Sequence, residues 1–343
     1  RGAAGCPVVA FGGSYGGTLT ALLRASHPAA VIGALAASSE LGYYDVAGWA
    51  AHGVDAFTFE DIVVADYASA HPQCLGAIRA ATDIIDGAEE QELVRAFNVC
   101  DAKALGPTLR SDLFTYALEA LPQVNYPYAI GAMPALPVSR VCERLVAAVA
   151  TSSGSVASED SAAHSSLLAA AAEVTRLGLG IEAGSCIPVQ SVGGPGNTPG
   201  DGPGTGSWGW QSCTETLHAF SARRIRNYTF NLSRSTSLCA KLYGGAAAPD
   251  LALLARRFGG YALAEGSAGV TNLIWSQGTL DPWHGWFRNV HKPPAGSGVH
   301  HFLMEGSAHH LDLRSPHSDD PQAVTLARAA AAEIIAGCVV AAV

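Results

Sequence analysis

Charge is scarce in this chain. Asp, Glu, Lys and Arg make up 14% of its 343 residues, with 29 acidic against 20 basic side chains. The formal charge of −9 and the pI near 5.7 leave no basic stripe to displace phosphate counterions, which excludes a nucleic-acid binder. With 49% hydrophobic residues, the chain can bury an ample core, so it is not a disordered one. Cys-x-x-Cys pairs are absent, and with them zinc ribbons and thioredoxin-type redox sites. No uninterrupted apolar run reaches the roughly 18 to 20 residues of a membrane span, residues 334–343 being the longest. The expectation is a soluble protein with no membrane partner. No internal repeat is evident. The chain opens on Arg1 without a charged segment and a following apolar one, so its amino terminus is read as processed or cut away.

Eight widely spaced cysteines are present, an even number that suits disulfides as well as buried thiols. Two sequons, at Asn227 and Asn231, tilt the compartment toward the secretory route. Length fits one large domain or one domain carrying a big insertion.

Residues 7–11 form a short strand-like run, followed by Gly12-Gly13-Ser14-Tyr15-Gly16-Gly17 and a helical stretch over 18–25. A continuous apolar run over 31–37 suits a buried parallel strand and completes a βαβ unit. From 42 to 265 the pattern turns to Ala- and Leu-rich helical stretches, interrupted at 191–206, where ten of sixteen residues are Gly or Pro. Such a composition cannot build a core and reads as a flexible loop. Strands resume at 271–275 and 299–304, and a final helix covers about 321–336.

Gly12-x-Ser14-x-Gly16 between a strand and a helix matches a nucleophile elbow. Its glycines let a serine sit on a sharp turn, and the Tyr15 N–H, opening the helix, points at a developing oxyanion. A serine needs a histidine base and a carboxylate that fixes the tautomer, and in this fold they follow in the order Ser, Asp or Glu, His. Asp281 follows one later strand; His309 and His310 follow the last. Each lies where open α/β sheets place functional residues. The duller readings are a glycine turn, a turn aspartate before Pro282 and a surface histidine pair. Order and placement together favour the triad.

With these residues in place the chain resembles the family of lysosomal Pro-Xaa carboxypeptidase and dipeptidyl peptidase II. The matching segments are Phe11-Gly12-Gly13-Ser14-Tyr15-Gly16-Gly17, Gly33-Ala34-Leu35-Ala36-Ala37-Ser38, Asn125-Tyr126-Pro127-Tyr128, Trp210-Gln211-Ser212-Cys213-Thr214-Glu215, Leu280-Asp281-Pro282-Trp283 and Ala308-His309-His310-Leu311-Asp312-Leu313-Arg314. The resemblance implies an α/β-hydrolase fold, its early strands missing, with a large helical cap insertion. Residues 1–41 and 266–343 would form the core and 42–265 the insertion. It also implies Ser14 as nucleophile, Asp281 as orienting carboxylate and His309 as base, a choice between the two histidines that spacing alone does not make. The implied disulfides are Cys74–Cys142, Cys100–Cys186 and Cys213–Cys239, leaving Cys6 and Cys338 free and buried.

Three departures bear on specificity. Trp286 stands where the family has glycine, Gln277 where it has Asn, and Arg223, Arg224 and Arg226 stand near where dipeptidyl peptidase II offers an acid to a substrate's amino terminus. The arginines favour a C-terminal carboxylate. The expected function is therefore a serine exopeptidase cutting after proline through an acyl-enzyme, without cofactor or metal, secreted or lysosomal/vacuolar, acting on proline-containing peptides and compatible with a homodimer. An Xaa-Pro dipeptidyl peptidase, a lipase or esterase and an inactive truncated relative are the alternatives. Only thirteen residues precede Ser14, whereas the fold places four strands and a second oxyanion donor ahead of the elbow. The expectation is the carboxy-terminal part of a longer protein.

Overall fold

The computed structural model describes residues 6–101, 110–150, 160–188, 207–244 and 250–342, so the Gly/Pro-rich stretch 191–206 lies outside the described residues. The chain forms two compact units, Arg1–Thr58 with Asp250–Val343, and Phe59–Pro249.

The first unit holds a parallel sheet in the order β1 (Val9–Gly13), β2 (Gly33–Ala37), β3 (Leu273–Gly278), β4 (Val299–Met304). β2 and β3 are buried at every position, which is why β2 and the first half of β3 read as apolar runs and not as alternating ones. Helix α1 (Tyr15–Ser26) joins β1 to β2. Its buried Arg24 donates to the carbonyls of Pro28, Val31 and Thr271, tying the crossover to the segment that enters β3. In this sheet β1 is an edge, and Phe11 on it is 57% exposed.

The last helix, Gln322–Ala342, packs on the sheet through Ala331, Ile334 and Ile335 against Leu35, Ile274 and Phe302. Residues Gln322–Ala341 are long and apolar enough to cross a membrane by length and composition. This corrects the expectation drawn from uninterrupted runs: the helix carries Arg328 and Glu333, yet its Ala and Val content keeps the average apolar. One stripe of it packs on the sheet, and 17% of that apolar stretch is buried. Val324, Ala327 and Ala331 are buried, and Arg328 holds the carbonyls of Leu311 and Asp312.

The second unit is helical. Helices Arg110–Ala120 and Asp160–Gly178 pack together, and Pro137–Ala150 packs on Cys74–Gly87 and on Asp160–Gly178. Disulfides Cys74–Cys142, Cys100–Cys186 and Cys213–Cys239 lie in this unit, the pairs that the family resemblance implies. Cys338 is half-buried, but Cys6 is exposed, contrary to expectation, because it precedes the edge strand. Both sequon asparagines are exposed, and Asn231 also caps helix Leu232–Tyr243 by accepting from Arg234 N–H.

The compact boundaries differ from 42 and 265. Residues 42–58 and 250–265 are helical in composition, but polar contacts tie them to the sheet-bearing unit. Asp45 accepts from Tyr261 N–H, and Tyr43 Oη donates to Pro282 O.

Candidate active site

The elbow is built from backbone crowding. Ser14 sits between β1 and α1 at φ 60° and ψ −132°, a positive-φ conformation that costs a non-glycine residue of order 1–3 kcal/mol. Its N–H donates to Ala37 O at 2.9 Å, and its carbonyl accepts from Gly17 and Thr18. A Cβ on Gly12 would lie 2.1 Å from Gly16 O, and one on Gly17 2.7 Å from Ala37 O. At Gly16 a Cβ would meet nothing within 4 Å. That glycine leaves its backbone approachable and needs no room for itself. Tyr15 N–H opens the first turn of α1, where amides point out of the helix.

Because the strands run parallel, the segments after β1, β3 and β4 emerge at one end of the sheet, and they carry Ser14, Asp281 and the histidine pair. Asp281 is fully buried. Its Oδ1 accepts from Trp283 N–H at 3.1 Å, and its Oδ2 lies 2.8 Å from His309 Nδ1. A carboxylate only accepts, so Nδ1 carries the hydrogen and Nε2 is left as the basic nitrogen. His310 does something else. It adopts a left-handed backbone, donates its N–H to Ser38 Oγ at 2.7 Å, and lies where a Cβ on Gly13 would come within 3.0 Å of its ring. The loop that presents the pair is held by Ser276 Oγ donating to Asp312 at 2.6 Å and by Arg328.

Burial, and secondarily the charge of His309, pushes the His310 pKa down to about 4. Its folded value lies below the ordinary value of 6.5, so below that pH the unfolded chain binds more protons. Stability present above pH 6.5 is lost as pH falls toward about 4. His310→Asn, a residue that tolerates the left-handed region, is expected to flatten this acid limb in urea-unfolding midpoints. An unchanged limb would assign the loss to other groups.

One residue in contact with Ser14 was not singled out from sequence. Glu40 is 3% exposed; its Oε1 accepts from Ser14 Oγ at 3.0 Å and its Oε2 from Tyr44 Oη. The signal was a charged residue three positions past a buried apolar strand, at the strand end where open sheets place functional groups.

The three departures resolve differently. Trp286 is fully buried against Gly42, with Nε1 donating to Ser39 O at 2.7 Å, so the indole is a packed part of this unit. Gln277 is also buried and donates to the same carbonyl at 2.8 Å. In the helical unit Arg223 pairs with Asp61 at 2.7 Å and Arg226 with Asp112 at 2.9 Å, while Glu60 accepts from the backbone N–H groups of Arg223, Arg224 and Ile225. Two of the three guanidiniums are thus already matched by acids, which weakens them as a counter-charge for a substrate carboxylate.

A strained serine at a strand–helix turn and a buried Asp–His pair at the same end of one parallel sheet form the layout on which serine hydrolases are built. The chain belongs to the serine carboxypeptidase S28 family, whose profile matches residues 1–331. It is 29% identical over 341 residues to the lysosomal Pro-X carboxypeptidase of Pongo abelii, covering 95% of this chain and 62% of that protein. The Mus musculus protein of the same name is 29% identical over 345 residues, covering 95% and 63%. A putative serine protease of Caenorhabditis elegans, pcp-1, is 29% identical over 359 residues, covering 94% and 58%. The chain therefore spans less than two thirds of the length of these curated relatives.

Proposed function

We propose that the protein is a serine exopeptidase of α/β-hydrolase fold that hydrolyses the bond after proline, as a Pro-Xaa carboxypeptidase does. The observation that carries the reading is the 2.8 Å bond between His309 Nδ1 and the buried Asp281, at the sheet end that also carries Ser14. Ser14 Oγ attacks the prolyl carbonyl, and His309 Nε2 takes its proton and returns it to the leaving amine. Asp281 holds the tautomer and stabilises the imidazolium, while Tyr15 N–H donates to the tetrahedral oxyanion. Water then repeats the sequence on the acyl-enzyme. The disulfides, and relatives named lysosomal, support a secreted or lysosomal setting.

A second reading, an Xaa-Pro dipeptidyl peptidase, draws on Glu40. A buried carboxylate at the nucleophile is a counter-charge for an amine, not for a carboxylate. Peptides with proline next to either end, incubated with the protein and with Ser14→Ala, separate the two. Release of a C-terminal residue after proline supports the first reading. Faster release of Xaa-Pro dipeptides, with a KM that Glu40→Gln raises for free-amine substrates only, supports the second. Cleavage that persists in Ser14→Ala sinks both.

A further inference from the structure

A second cluster of chemically able side chains lies in the sheet-bearing unit and takes no part in the chemistry above. His52 ends a short turn, Glu265 follows helix Tyr261–Ala264, and His291 lies in the segment after Asp281. Glu265 Oε1 is 2.9 Å from His52 Nε2 and 2.6 Å from His291 Nδ1, and the three atoms lie within 4.8 Å of one another. We propose that His52, Glu265 and His291 form a binding site for a divalent cation of the zinc class.

The tautomer of His52 carries the argument. Its Nδ1 lies 2.8 Å from Gly48 O, and a carbonyl only accepts, so Nδ1 holds the hydrogen. Neutral His52 then turns the Nε2 lone pair onto Glu265 Oε1, which is also an acceptor. Two acceptors 2.9 Å apart require something positive between them. His291 Nδ1 faces the same oxygen, and in the tautomer that leaves Nδ1 bare three lone pairs converge on one point. A single divalent cation satisfies all three; protons do so with one imidazolium at His52 and a neutral His291 donating through Nδ1–H, and the titration below separates the two.

The surroundings suit a ligand set. The Nδ1–H bond to a backbone carbonyl is the outer contact that metal-bound histidines usually make. The Tyr261 ring stacks on the His52 imidazole at 3.7 Å and 6°, fixing the ring plane. Asn289 Nδ2 donates to His52 O at 3.0 Å and ties the segment that ends at His291 to the same turn. Two imidazoles and one carboxylate form a known zinc set, with tetrahedral bonds near 2.0–2.1 Å and donor separations of roughly 3.3 Å. His291 is 76% exposed, so its ring is free to move by the roughly 0.7 Å that separates its 2.6 Å contact from that spacing and to leave solvent at a fourth position. The exposed Lys292 beside it points to a site of moderate affinity.

An ion here would clasp three chain segments, one of which leaves Asp281 and ends at His291. The test is a calorimetric titration of chelator-stripped protein with zinc near neutral pH, repeated with cobalt for its d–d spectrum. The expected result is one equivalent bound, with intense four-coordinate cobalt bands. Because His291 is exposed, His291→Ala keeps the fold, and it is expected to lose more than the roughly 10- to 100-fold that removal of an outer partner costs. A Ser14-directed phosphonate that labels both proteins equally confirms that the variant is folded. No uptake by the parent, or uptake that survives His291→Ala, would overturn the proposal.

Discussion

His309→Ala is expected to lower peptide turnover by roughly 10⁴- to 10⁶-fold, and Asp281→Ala to fall in the same range, because members of a triad act as one unit. The geometry makes this asymmetric within the histidine pair. His309 carries the bond to Asp281, whereas His310 binds the loop after β2 through its N–H and packs its ring by Gly13. His310→Asn removes packing and leaves the Asp–His contact, so its loss of turnover is expected to stay at least two orders of magnitude smaller. Steady-state kinetics on one proline-containing peptide, with all variants checked for folding, decides the matter. A harmless His309→Ala with a dead His310→Asn would reverse the assignment.

The second large effect is on folding. A Cβ on Gly42 would lie 2.2, 2.5 and 2.8 Å from Cε3, Cδ2 and Cγ of Trp286. A rigid indole cannot yield as the end of a flexible chain would, and Trp286 is held by its bond to Ser39 O and by edge-on contacts with Trp275 and Tyr261. Gly42→Ala is therefore expected to cost more than the roughly 1–3 kcal/mol of ordinary overpacking. Trp286→Ala alone should cost about 3–5 kcal/mol as a large-to-small change. In the double variant the new methyl occupies part of the space the indole leaves. Its total cost should fall below the sum of the two by more than about 1 kcal/mol. Urea unfolding of the three variants measures this; strict additivity would mean that the two positions are not a matched pair.

These residues show what was legible. The elbow could be read because its glycines, its strand and its helix are local. Asp281 could be read because the chain order of the triad follows from the fold. The choice between His309 and His310 was beyond spacing, since adjacent residues differ only in which ring the left-handed backbone at His310 turns toward Asp281. Glu40 is one carboxylate in a short polar stretch, and only the return of the chain beside Ser14 makes it chemical. Gly42 and Trp286 lie far apart in sequence, so a bulky residue on a family glycine read as a change bearing on specificity until its partner was known. The disulfides came from resemblance, and their spacing would have allowed other pairings. Residues 42–58 and 250–265 were placed by helical composition, which carries no information about the polar contacts that join them to the sheet.

The central pair of strands also sets an order of assembly. Ala34 pairs with Leu273, so joining β2, which pairs locally with β1, to β3 means closing a loop of about 240 residues. The chain between them holds all three disulfides, within the compact unit Phe59–Pro249. Oxidation there shortens the effective distance between the two strands before they meet. The hypothesis that follows is that the sheet closes late and slowly under reducing conditions; pulsed hydrogen exchange showing β2 and β3 protected before helix Pro137–Ala150 would refute it. On this account the redox state of the compartment governs how fast the nucleophile's own scaffold forms, although that scaffold contains no disulfide among its described residues.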